Sequence, residues 1–415
     1  MKLAIELNGL MVGHLEGAIR SFDFMATPGA TEALGNNSLA LSVSMPLTPT
    51  PIKSHANRRR NWFAELLPEG DQYEYMLQQG ALRRGDTLAF LARYGRDVAG
   101  ALQIWDVDDP TEPLTPSTSR VSESEVRELL ESPSSSPLAN IDRLGKSSLG
   151  GVQPKIVLAR EEDPSSTKTH WARALGGHPS THILKPQLAG RLSSVIFDEE
   201  YGARLAQLLG LTGSRSEIQN FDGLNALVIE RFDRTGGKRL HQEDFNQILG
   251  ASGNQKYQEM GGVVTLARVA AVLTKFTSSK ELRAFARQLI LSVALGNLDM
   301  HTKNIGLLHT ASGEIHLAPA YDVVPQAHMP NDGRLALAVN GKYQHATIAL
   351  SDLVSELSSW GISRPKQLVL ETMEELQTAI RAEAPHPRAF EGLHDDLESF
   401  VTNLLDGRTI SGGHT

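Results

Sequence analysis

Short apolar runs separated by turn-forming residues dominate the first hundred residues and predict a small mixed α/β unit. In KLAIELNGLMVGHL, the dipeptide Asn8-Gly9 separates two apolar runs, as in a tight β-hairpin. Apolar and small polar residues alternate from Leu39 to Leu47, which predicts a half-buried strand. RRNWFAELLPEG predicts a short helix stopped by Pro68 and Gly70, and TLAFLARYG predicts a second helix that leads to the strand GALQIWD.

A polar linker follows this unit. The stretch from Asp106 to Ser119 is rich in Pro, Asp, Ser and Thr and has little to bury. Ser122 and Glu125 then have the spacing of a capping box, which predicts the start of the helix VSESEVRELLES. A further polar stretch, SPSSSP, separates this helix from the segments that follow.

From about Ser147 onward, predicted strands give way to predicted helices. SSLGGVQPKIVLA predicts a loop that runs into a strand, and THILKPQ predicts a second strand with Lys185 near its end. Apolar residues recur from Tyr201 to Leu209 at i, i+4, i+7 and i+8, which predicts an amphipathic helix. ALVIERFDR, a TGGK turn and RLHQEDF predict another hairpin, SKELRAFARQLILSVALGN predicts a long apolar helix, and the chain past about Asp352 is mostly helical in pattern.

Composition narrows the class of protein. The chain has 415 residues, 40% of them hydrophobic and 21% charged, which favours two or three domains of an ordinary globular protein. It has no cysteine, which excludes disulfides, thiolate metal sites and a catalytic thiol. The N-terminus lacks the apolar core of a signal peptide, and no window approaches the roughly 20 apolar residues that span a bilayer. We therefore expect a cytoplasmic protein without membrane contact.

The charge balance argues against direct nucleic-acid binding. The formal net charge is −8, and phosphate contacts need clustered positive charge. The run from Arg58 to Arg60 is the obvious basic patch, but a charge run of this length is usually a solvated face.

The strongest chemical signal lies between Asp299 and Asp322. A protein kinase catalytic loop places its base Asp five residues before an Asn that holds Mg²⁺, and Asp299 and Asn304 have this spacing. The run IGLL, the turn HTASGE and the return strand IHLAPAYD would carry Asp322 back beside Asn304, where its carboxylate can share the metals. The structural alternative is that Asp299 caps a turn and Asp322 caps a helix starting at Val323.

His301 leaves a different chemistry open. Asp299, His301 and Asp322 could be the three ligands of a metallohydrolase. We favour a scaffold role for His301, because no other His or carboxylate cluster has metal-ligand spacing. A Ser/His/Asp hydrolase is unsupported, since the chain contains no G-x-S-x-G elbow.

Upstream residues extend the kinase pattern. Lys185 resembles the lysine that contacts the α- and β-phosphates, and the following helix offers Glu199 or Glu200 as its ionic partner. Glu200 is preferred because it immediately precedes Tyr201 on the apolar face. The loop from 148 to 152, with Gly150 and Gly151, offers backbone N–H groups without obstruction by a β-carbon, as a phosphate cradle requires. Two adjacent glycines before a strand are also typical of a simple turn.

Taken together and in this order, these segments resemble the HipA family of bacterial serine/threonine kinase toxins. The matching segments run from near the N-terminus to about Pro325, and they are LPEG, GRDVAGALQI, SSLGGVQPKIVL, THILKPQ, EYGARLAQLLGL, ERFDR, RLHQEDFNQILG with KYQ following, GNLDMHTKNIGLL and PAYDVVP. ERFDR, RLHQEDF and GN-x-D-x-H-x-KN are specific when they occur together.

The resemblance implies an α+β, two-lobed protein-kinase-like fold with a small N-terminal mixed α/β subdomain and a mostly helical C-terminal lobe. It implies ATP and Mg²⁺ as cofactors and transfer of the γ-phosphoryl group to a serine of a protein. In the best-known members that protein is an aminoacyl-tRNA synthetase. The resemblance also implies an antitoxin partner similar to HipB, with a helix-turn-helix DNA-binding domain, so that DNA is bound only through the antitoxin.

Residue by residue, the resemblance implies that Asp299 is the catalytic base and that Asn304 and Asp322 hold Mg²⁺. The positions implied to contact ATP are Ser148, Gly150, Gly151, Val152, Lys185, Glu230 and Phe232. Among these, Glu230 and Phe232 fall at the hinge, where their backbones would meet the adenine. Ser148 falls on the serine that such kinases phosphorylate on themselves, and the adjacent Ser147 could take the phosphate instead. This chain departs from the commoner G-A-Q-E-K form of the loop, because Pro154 removes a backbone donor.

We expect four parts: an N-terminal subdomain over residues 1–106, a linker with its capping helix over 107–146, an N-lobe-like part over 147–235 and a helical C-lobe over 236–415. Two other functions are weighed against a toxin-type protein kinase. One is a kinase that acts on a small molecule, since such enzymes share the Asp-x4-Asn core. The other is a non-enzymatic corepressor or scaffold, against which the intact set of Lys185, Asp299, Asn304 and Asp322 argues.

Overall fold

The computed structural model describes residues 1–132, 136–140, 143–163 and 168–413. The described residues form twelve α-helices: α1 Pro28–Leu34, α2 Ala56–Ala64, α3 Gly70–Gly80, α4 Thr87–Tyr94, α5 Glu123–Glu131, α6 Val195–Leu208, α7 Phe245–Leu249, α8 Leu266–Phe276, α9 Ser279–Ala294, α10 Leu350–Ser359, α11 Pro365–Ala382 and α12 Leu393–Leu405.

The same residues form seventeen strands: β1 Lys2–Leu7, β2 Leu10–Glu16, β3 Asp23–Ala26, β4 Leu102–Asp106, β5 Ser117–Val121, β6 Ile156–Glu162, β7 Thr169–Leu175, β8 His182–Pro186, β9 Ser216–Phe221, β10 Leu224–Glu230, β11 Arg234–Thr235, β12 Lys238–Arg239, β13 His241–Asp244, β14 Gly306–His309, β15 Ile315–Leu317, β16 Arg334–Val339 and β17 Lys342–Gln344.

The chain divides into two compact units. Unit 1 contains residues 1–186, 219–243 and 308–313, and unit 2 contains residues 187–218, 244–307 and 314–415. No helix of the described chain is both long enough and apolar enough to cross a membrane.

Unit 1 begins with a four-stranded antiparallel sheet in the order β3-β2-β1-β4. The predicted hairpin at Asn8-Gly9 is confirmed, and both residues have positive φ (51° and 84°), as a tight turn requires. One face of this sheet packs apolar side chains against the helices that follow, and Leu3, Ile5, Trp62 and Phe63 lie in this core. The predicted helix TLAFLARYG is α4, and the predicted strand GALQIWD is β4.

One prediction in this region is wrong. The stretch from Leu39 to Leu47 buries its alternate apolar residues, yet its backbone is not a strand. Its N–H groups are satisfied elsewhere: Val43 donates to the Glu243 carboxylate (2.8 Å) and Leu47 donates to the Ser38 carbonyl (2.9 Å). The predicted short helix in RRNWFAELLPEG is confirmed as α2, which ends at Ala64, before Pro68, while Gly70 begins a second helix, α3.

A larger antiparallel sheet occupies the rest of unit 1, with five neighbouring strands in the order β5-β7-β6-β8-β10. The linker prediction fails at its end, because residues 117–119 belong to the edge strand β5. The capping box is confirmed: Glu125 N–H donates to Ser122 Oγ (3.3 Å), and Ser122 N–H donates to Glu125 Oε2 (2.7 Å), at the start of α5. Of the polar stretch at 132–137, residues 133–135 lie outside the described residues.

The TGGK turn is confirmed, but the hairpin around it is shorter than predicted. Only β11 and β12, two residues each, pair across Gly236 and Gly237. The longer run ALVIE forms β10, which pairs with β8 instead, so that Leu227 lies opposite Lys185. The hydrogen-bonding edge of β10 is therefore committed to the sheet and not to the hairpin.

Unit 2 is mainly helical, as predicted for the C-terminal part of the chain. Helix α9 is the predicted long apolar helix and contacts α8, α11 and α12. It ends just before Gly296, whose φ is +64°. A β-carbon at this position would collide with Ala327, so the residue that starts the turn after α9 has to be glycine.

Candidate active site

The turn after α9 is a closed loop that begins at Asn297. The Asn297 side chain accepts a hydrogen bond from the Asp299 N–H (3.2 Å), and the Asn304 side-chain amide donates to the Asp299 carbonyl (3.0 Å). The Thr302 hydroxyl, which is buried, donates to Asn246 Oδ1 (3.0 Å) and to the Lys256 carbonyl (3.3 Å). The Asp-x4-Asn spacing thus closes a ring in which the amide of the Asn holds the backbone of the Asp.

The Asp299 carboxylate is held but not enclosed. Its side chain remains 42% exposed. The Tyr257 hydroxyl donates to its Oδ1 (3.0 Å), and His301 Nε2 lies 3.8 Å from its Oδ2. The His301 ring is buried edge-on against the Tyr257 ring, with centroids 5.4 Å apart, which is the scaffold position predicted for this histidine.

Asp322 reaches the same part of unit 2 after β14 and β15. The Ala318 N–H donates to the Gly306 carbonyl (2.8 Å), which closes the predicted strand–turn–strand. Asn297 Nδ2 lies 3.5 Å from the Asp322 carbonyl. No helix starts at Val323, so the prediction that Asp322 might cap one is wrong; Asp322 has φ +57° and is followed by irregular backbone.

The oxygen donors of Asn304 and Asp322 fit the Mg²⁺ that the resemblance implies. The Asn304 amide nitrogen is used by the Asp299 carbonyl, so the amide oxygen is directed away from that bond. One carboxylate and one amide oxygen suit a hard cation that keeps several waters. Within the ranges that the structure describes, no three His, Cys, Asp or Glu side chains converge as metal ligands, so the three-ligand hydrolase set is not assembled there.

In unit 1, the positions predicted to contact the nucleotide lie on and beside the larger sheet. Lys185 is buried in β8, next to the central strand β6. Glu230 is the last residue of β10 and lies opposite His182, and Phe232 is half-buried two residues further on. These placements agree with a lysine strand and with a hinge at the end of β10.

The glycine loop before β6 is anchored at one end and open at the other. Ser148 is fully buried; its hydroxyl donates to the Leu66 carbonyl (2.9 Å), and its N–H donates to the Asp97 carbonyl (3.0 Å). Val152, in contrast, is 59% exposed. Gly151 has φ +97°, and a β-carbon there would collide with the buried Lys155 ammonium. A glycine backbone against a buried cation suits a phosphate group.

A buried ionic cluster anchors the serine end of this loop. Asp97 accepts from Arg234 (3.0 Å), from the Ser180 hydroxyl (2.6 Å) and from the Ser147 hydroxyl (3.1 Å). Asp233 accepts two hydrogen bonds from Arg231 (2.9 and 2.8 Å) and one from the Gly100 N–H (2.7 Å).

Burial alone would raise the pKa of both carboxyl groups, but the neighbouring guanidinium groups outweigh it. The pKa of Asp97 is held well below its usual range, and that of Asp233 is lowered to about 2. Arg231, Asp233 and Arg234 of the ERFDR motif therefore help to hold Asp97, which in turn binds the Ser147 hydroxyl.

Helix α6 of unit 2 carries both candidate glutamates, and they have different surroundings. Both oxygens of Glu200 accept from the Arg204 guanidinium (3.0 and 3.1 Å), whereas Glu199 is buried. Glu200, the preferred partner of Lys185, is thus already paired with Arg204. One turn along α6, Gly202 has no room for a β-carbon, because the Val323 carbonyl packs directly against it.

Comparison with known proteins is consistent with this geometry. Residues 147–384 match the HipA-like C-terminal domain, and residues 3–105 match the HipA N-terminal domain. The chain belongs to the HipA family of serine/threonine kinase toxins. The resemblance inferred from its motifs is confirmed.

Individual relatives of this HipA-family chain cover most of its length. It is 28% identical, over an alignment of 431 positions, to the serine/threonine-protein kinase toxin HipA of Shewanella oneidensis, which spans 97% of this chain and 93% of that protein. It is 31% identical over 316 positions to Y4mE of Sinorhizobium fredii, named provisionally as a kinase, across 71% of this chain and 70% of that one.

A solved structure of HipA with HipB and operator DNA from Shewanella oneidensis MR-1 superposes with a TM-score of 0.77 at 25% identity, covering 97% of this chain and 96% of that one. The predicted α+β, kinase-like HipA fold is confirmed.

Three residues at the site escaped the sequence analysis. Tyr257 contacts Asp299, but KYQ was noted only as part of the resemblance. Asn297 contacts the backbone of both Asp299 and Asp322, but it was noted only as part of the GN-x-D-x-H-x-KN motif of the resemblance. Lys155 was noted only as part of the segment SSLGGVQPKIVL, directly after the unusual Pro154.

Proposed function

We propose that this HipA-family chain is an ATP- and Mg²⁺-dependent protein kinase that phosphorylates serine or threonine. The observation that carries the proposal is the loop in which Asp299 is held through its backbone by Asn304 while its carboxylate stays exposed. A general base has to meet a hydroxyl that arrives from outside, and this arrangement keeps the base both fixed and accessible.

Each residue has a definite part in the proposed transfer. Asp299 accepts the proton of the acceptor hydroxyl as its oxygen attacks the γ-phosphorus, and ADP leaves. Asn304 and Asp322 hold Mg²⁺, which when bound neutralises charge on the phosphates. Lys185 binds the α- and β-phosphates, and Glu199 supplies the carboxylate that kinases of this kind pair with that lysine. Glu199 replaces Glu200 in this role because Glu200 is bound to Arg204.

The remaining nucleotide contacts follow from the loop and the end of β10. The backbones of Glu230 and Phe232 bind the adenine. The loop positions that cradle the phosphates are Ser148, Gly150, Gly151 and Val152. We further propose that the chain phosphorylates itself on Ser148. Because that hydroxyl is buried in this conformation, the loop must leave its position before it can be modified.

The biological role proposed here is that of the toxin in a toxin–antitoxin pair. A related HipA is named a toxin, and its solved structure includes HipB and operator DNA. We propose a HipB-like partner with a helix-turn-helix domain, and a translation-related target such as an aminoacyl-tRNA synthetase. With a net charge of −8, the chain alone should retain little DNA at physiological salt.

The decisive test is the substitution Asp299→Asn. We expect phosphoryl transfer from γ-labelled ATP into proteins of a bacterial extract to fall at least about a hundredfold, because the proton acceptor is lost while the loop is kept. Urea denaturation should show an unchanged free energy of unfolding. Asp395→Asn makes the same chemical change at a side chain that is 91% exposed and should label the extract like the wild type. Wild-type labelling by the Asp299→Asn protein would refute the kinase assignment.

A further inference from the structure

Tyr257 makes a contact with the proposed catalytic base that has no part in the function proposed above. It lies between α7 and α8, 42 residues before Asp299, and its hydroxyl donates to Asp299 Oδ1 at 3.0 Å. Nothing in the Asp-x4-Asn pattern predicts a donor at this oxygen.

Hydrogen bonds of the two flanking residues hold the backbone of Tyr257 in place within unit 2. On one side, the carbonyl of Lys256 accepts from the Thr302 hydroxyl of the catalytic loop (3.3 Å). On the other side, Gln258 is bound to β16, since its N–H donates to the Ala336 carbonyl (3.0 Å) and its Oε1 accepts from the Ala338 N–H (2.9 Å). The residues on both sides of Tyr257 are therefore tied to neighbouring elements.

The ring of Tyr257 is fixed as well. It meets the buried His301 edge-on at 77°, with 5.4 Å between centroids, and the Lys256 ammonium lies 5.4 Å from its centroid. The phenol is thus oriented by its packing before its hydroxyl reaches Asp299. A hydroxyl on a restrained ring can restrain the carboxylate to which it donates.

A carboxylate that is 42% exposed needs such a restraint. The terminal torsion of an aspartate is broad and nearly two-fold, so its two oxygens exchange places easily. A base that accepts a proton from a hydroxyl at hydrogen-bond distance has to direct one of its oxygens toward that hydroxyl.

We propose that Tyr257 is a positioning residue for the base: its hydrogen bond to Oδ1 fixes the Asp299 carboxylate so that Oδ2 receives the proton of the acceptor hydroxyl. This inference rests on the proposed kinase function. It assigns to the KYQ segment a role in turnover, and it predicts no role for Tyr257 in holding the nucleotide.

The test is Tyr257→Phe, which keeps the ring and removes only the hydroxyl. Hydrogen bonds to charged groups predict a fall in kcat of about 10- to 100-fold for labelling of extract protein, with the KM for ATP unchanged. A mixed loss of KM and kcat would instead indicate a general disturbance of the site and would overturn the proposal. Thermal unfolding should stay at the wild-type temperature.

A double substitution separates positioning from mere structural support. In an Asp299→Asn background, measured by single-turnover labelling with enzyme in excess, Tyr257→Phe should cause no further loss, because its effect passes through the base. Tyr321→Phe is the matched control, since the Tyr321 hydroxyl donates to the Lys303 carbonyl of the same loop (2.8 Å). Any loss that this control causes should multiply with that of Asp299→Asn.

The outcomes distinguish this inference from the proposed function. If the wild type labels extract protein and Asp299→Asn does not, the kinase proposal stands, and wild-type kcat in Tyr257→Phe then overturns the positioning role alone. A Tyr257→Phe protein faster than the wild type overturns it too, since the hydroxyl would then be blocking the base. If the wild type labels nothing, both proposals fall.

Discussion

The ionic cluster of unit 1 and the catalytic loop of unit 2 use the same residue type in opposite ways. Asp97 and Asp233 are fully buried and accept hydrogen bonds from arginines, hydroxyls and backbone amides. Asp299 accepts a hydrogen bond from the Tyr257 hydroxyl and keeps 42% of its side chain in solvent. In the sequence, the three aspartates lie in GRDV, ERFDR and GNLD, which all belong to the segments that carry the family resemblance.

The difference teaches what separates a structural carboxylate from a catalytic one. Inside the cluster, each carboxylate faces at least two arginines, which keep the acids ionised with a lowered pKa. Such a carboxylate has no capacity left for an incoming proton donor. A base in phosphoryl transfer must still meet a substrate, and the Asp299 carboxylate, which we propose as that base, is 42% exposed.

The most direct test of this difference is to remove one carboxylate charge from each region and to compare the losses of stability. Asp97→Asn should lower the free energy of unfolding by about 3–5 kcal/mol, because it leaves the buried Arg234 and Arg231 to share the single carboxylate of Asp233. Asp299→Asn should change it by less than about 0.5 kcal/mol, as expected for an exposed side chain. Urea denaturation of the two variants measures both values. Equal losses would mean that the two carboxylates are not different in kind.

Acid titration sharpens the comparison through His241, which lies beside the cluster. The pKa of His241 is lowered to about 4, mainly by burial and also by His309, while the Leu41 carbonyl, Glu243 and Asp233 act in the opposite direction. The unfolded chain takes up this proton near pH 6.5 and the folded chain only near pH 4, so unfolding becomes easier as the pH falls through that window.

From this residue the free energy of unfolding should drop by roughly 3 kcal/mol between pH 7 and pH 4. His182, whose pKa burial also lowers to about 4, adds to the same slope. Urea denaturation at pH 7, 6, 5 and 4 measures the slope, and His241→Gln should flatten it. An unaltered slope in that variant would show that His241 is not a source of the acid sensitivity.

Parts of the fold and the site that depend on contacts between residues close in sequence could be predicted, and parts that depend on contacts between distant residues could not. The Asn8-Gly9 turn and the loop from Asp299 to Asn304 depend on neighbours in the chain, and their geometry agrees with the predictions. The strand predicted at Leu39 failed because a distant carboxylate, Glu243, takes the N–H of Val43. No local pattern reports such a partner.

The same reason explains only part of what was missed. Tyr257 contacts Asp299 across 42 positions, and apolar spacing on α6 could not separate two adjacent glutamates. Strand β7 was also missed, because its sequence THWARAL contains few β-branched residues. It nevertheless pairs with β5 on one side and with β6 on the other. A long-range contact explains only the case of Tyr257, because the Glu200–Arg204 ion pair is an i,i+4 contact that the sequence could have indicated.

Small effects on stability are also expected at Glu200, and the two neighbouring glutamates of α6 allow the same comparison within one helix. Glu200 shares the partly exposed Arg204 with Glu383, so Glu200→Gln should cost less than about 1 kcal/mol of unfolding free energy and leave extract labelling near the wild-type rate. Glu199→Gln makes the same chemical change at the buried neighbour and should lower labelling at least about tenfold, mainly by raising the KM for ATP. Urea denaturation and ATP titrations of the two variants measure both effects. If Glu200→Gln loses labelling while Glu199→Gln keeps it, the roles are reversed, and the ion pair with Arg204 does not exclude Glu200 from the lysine.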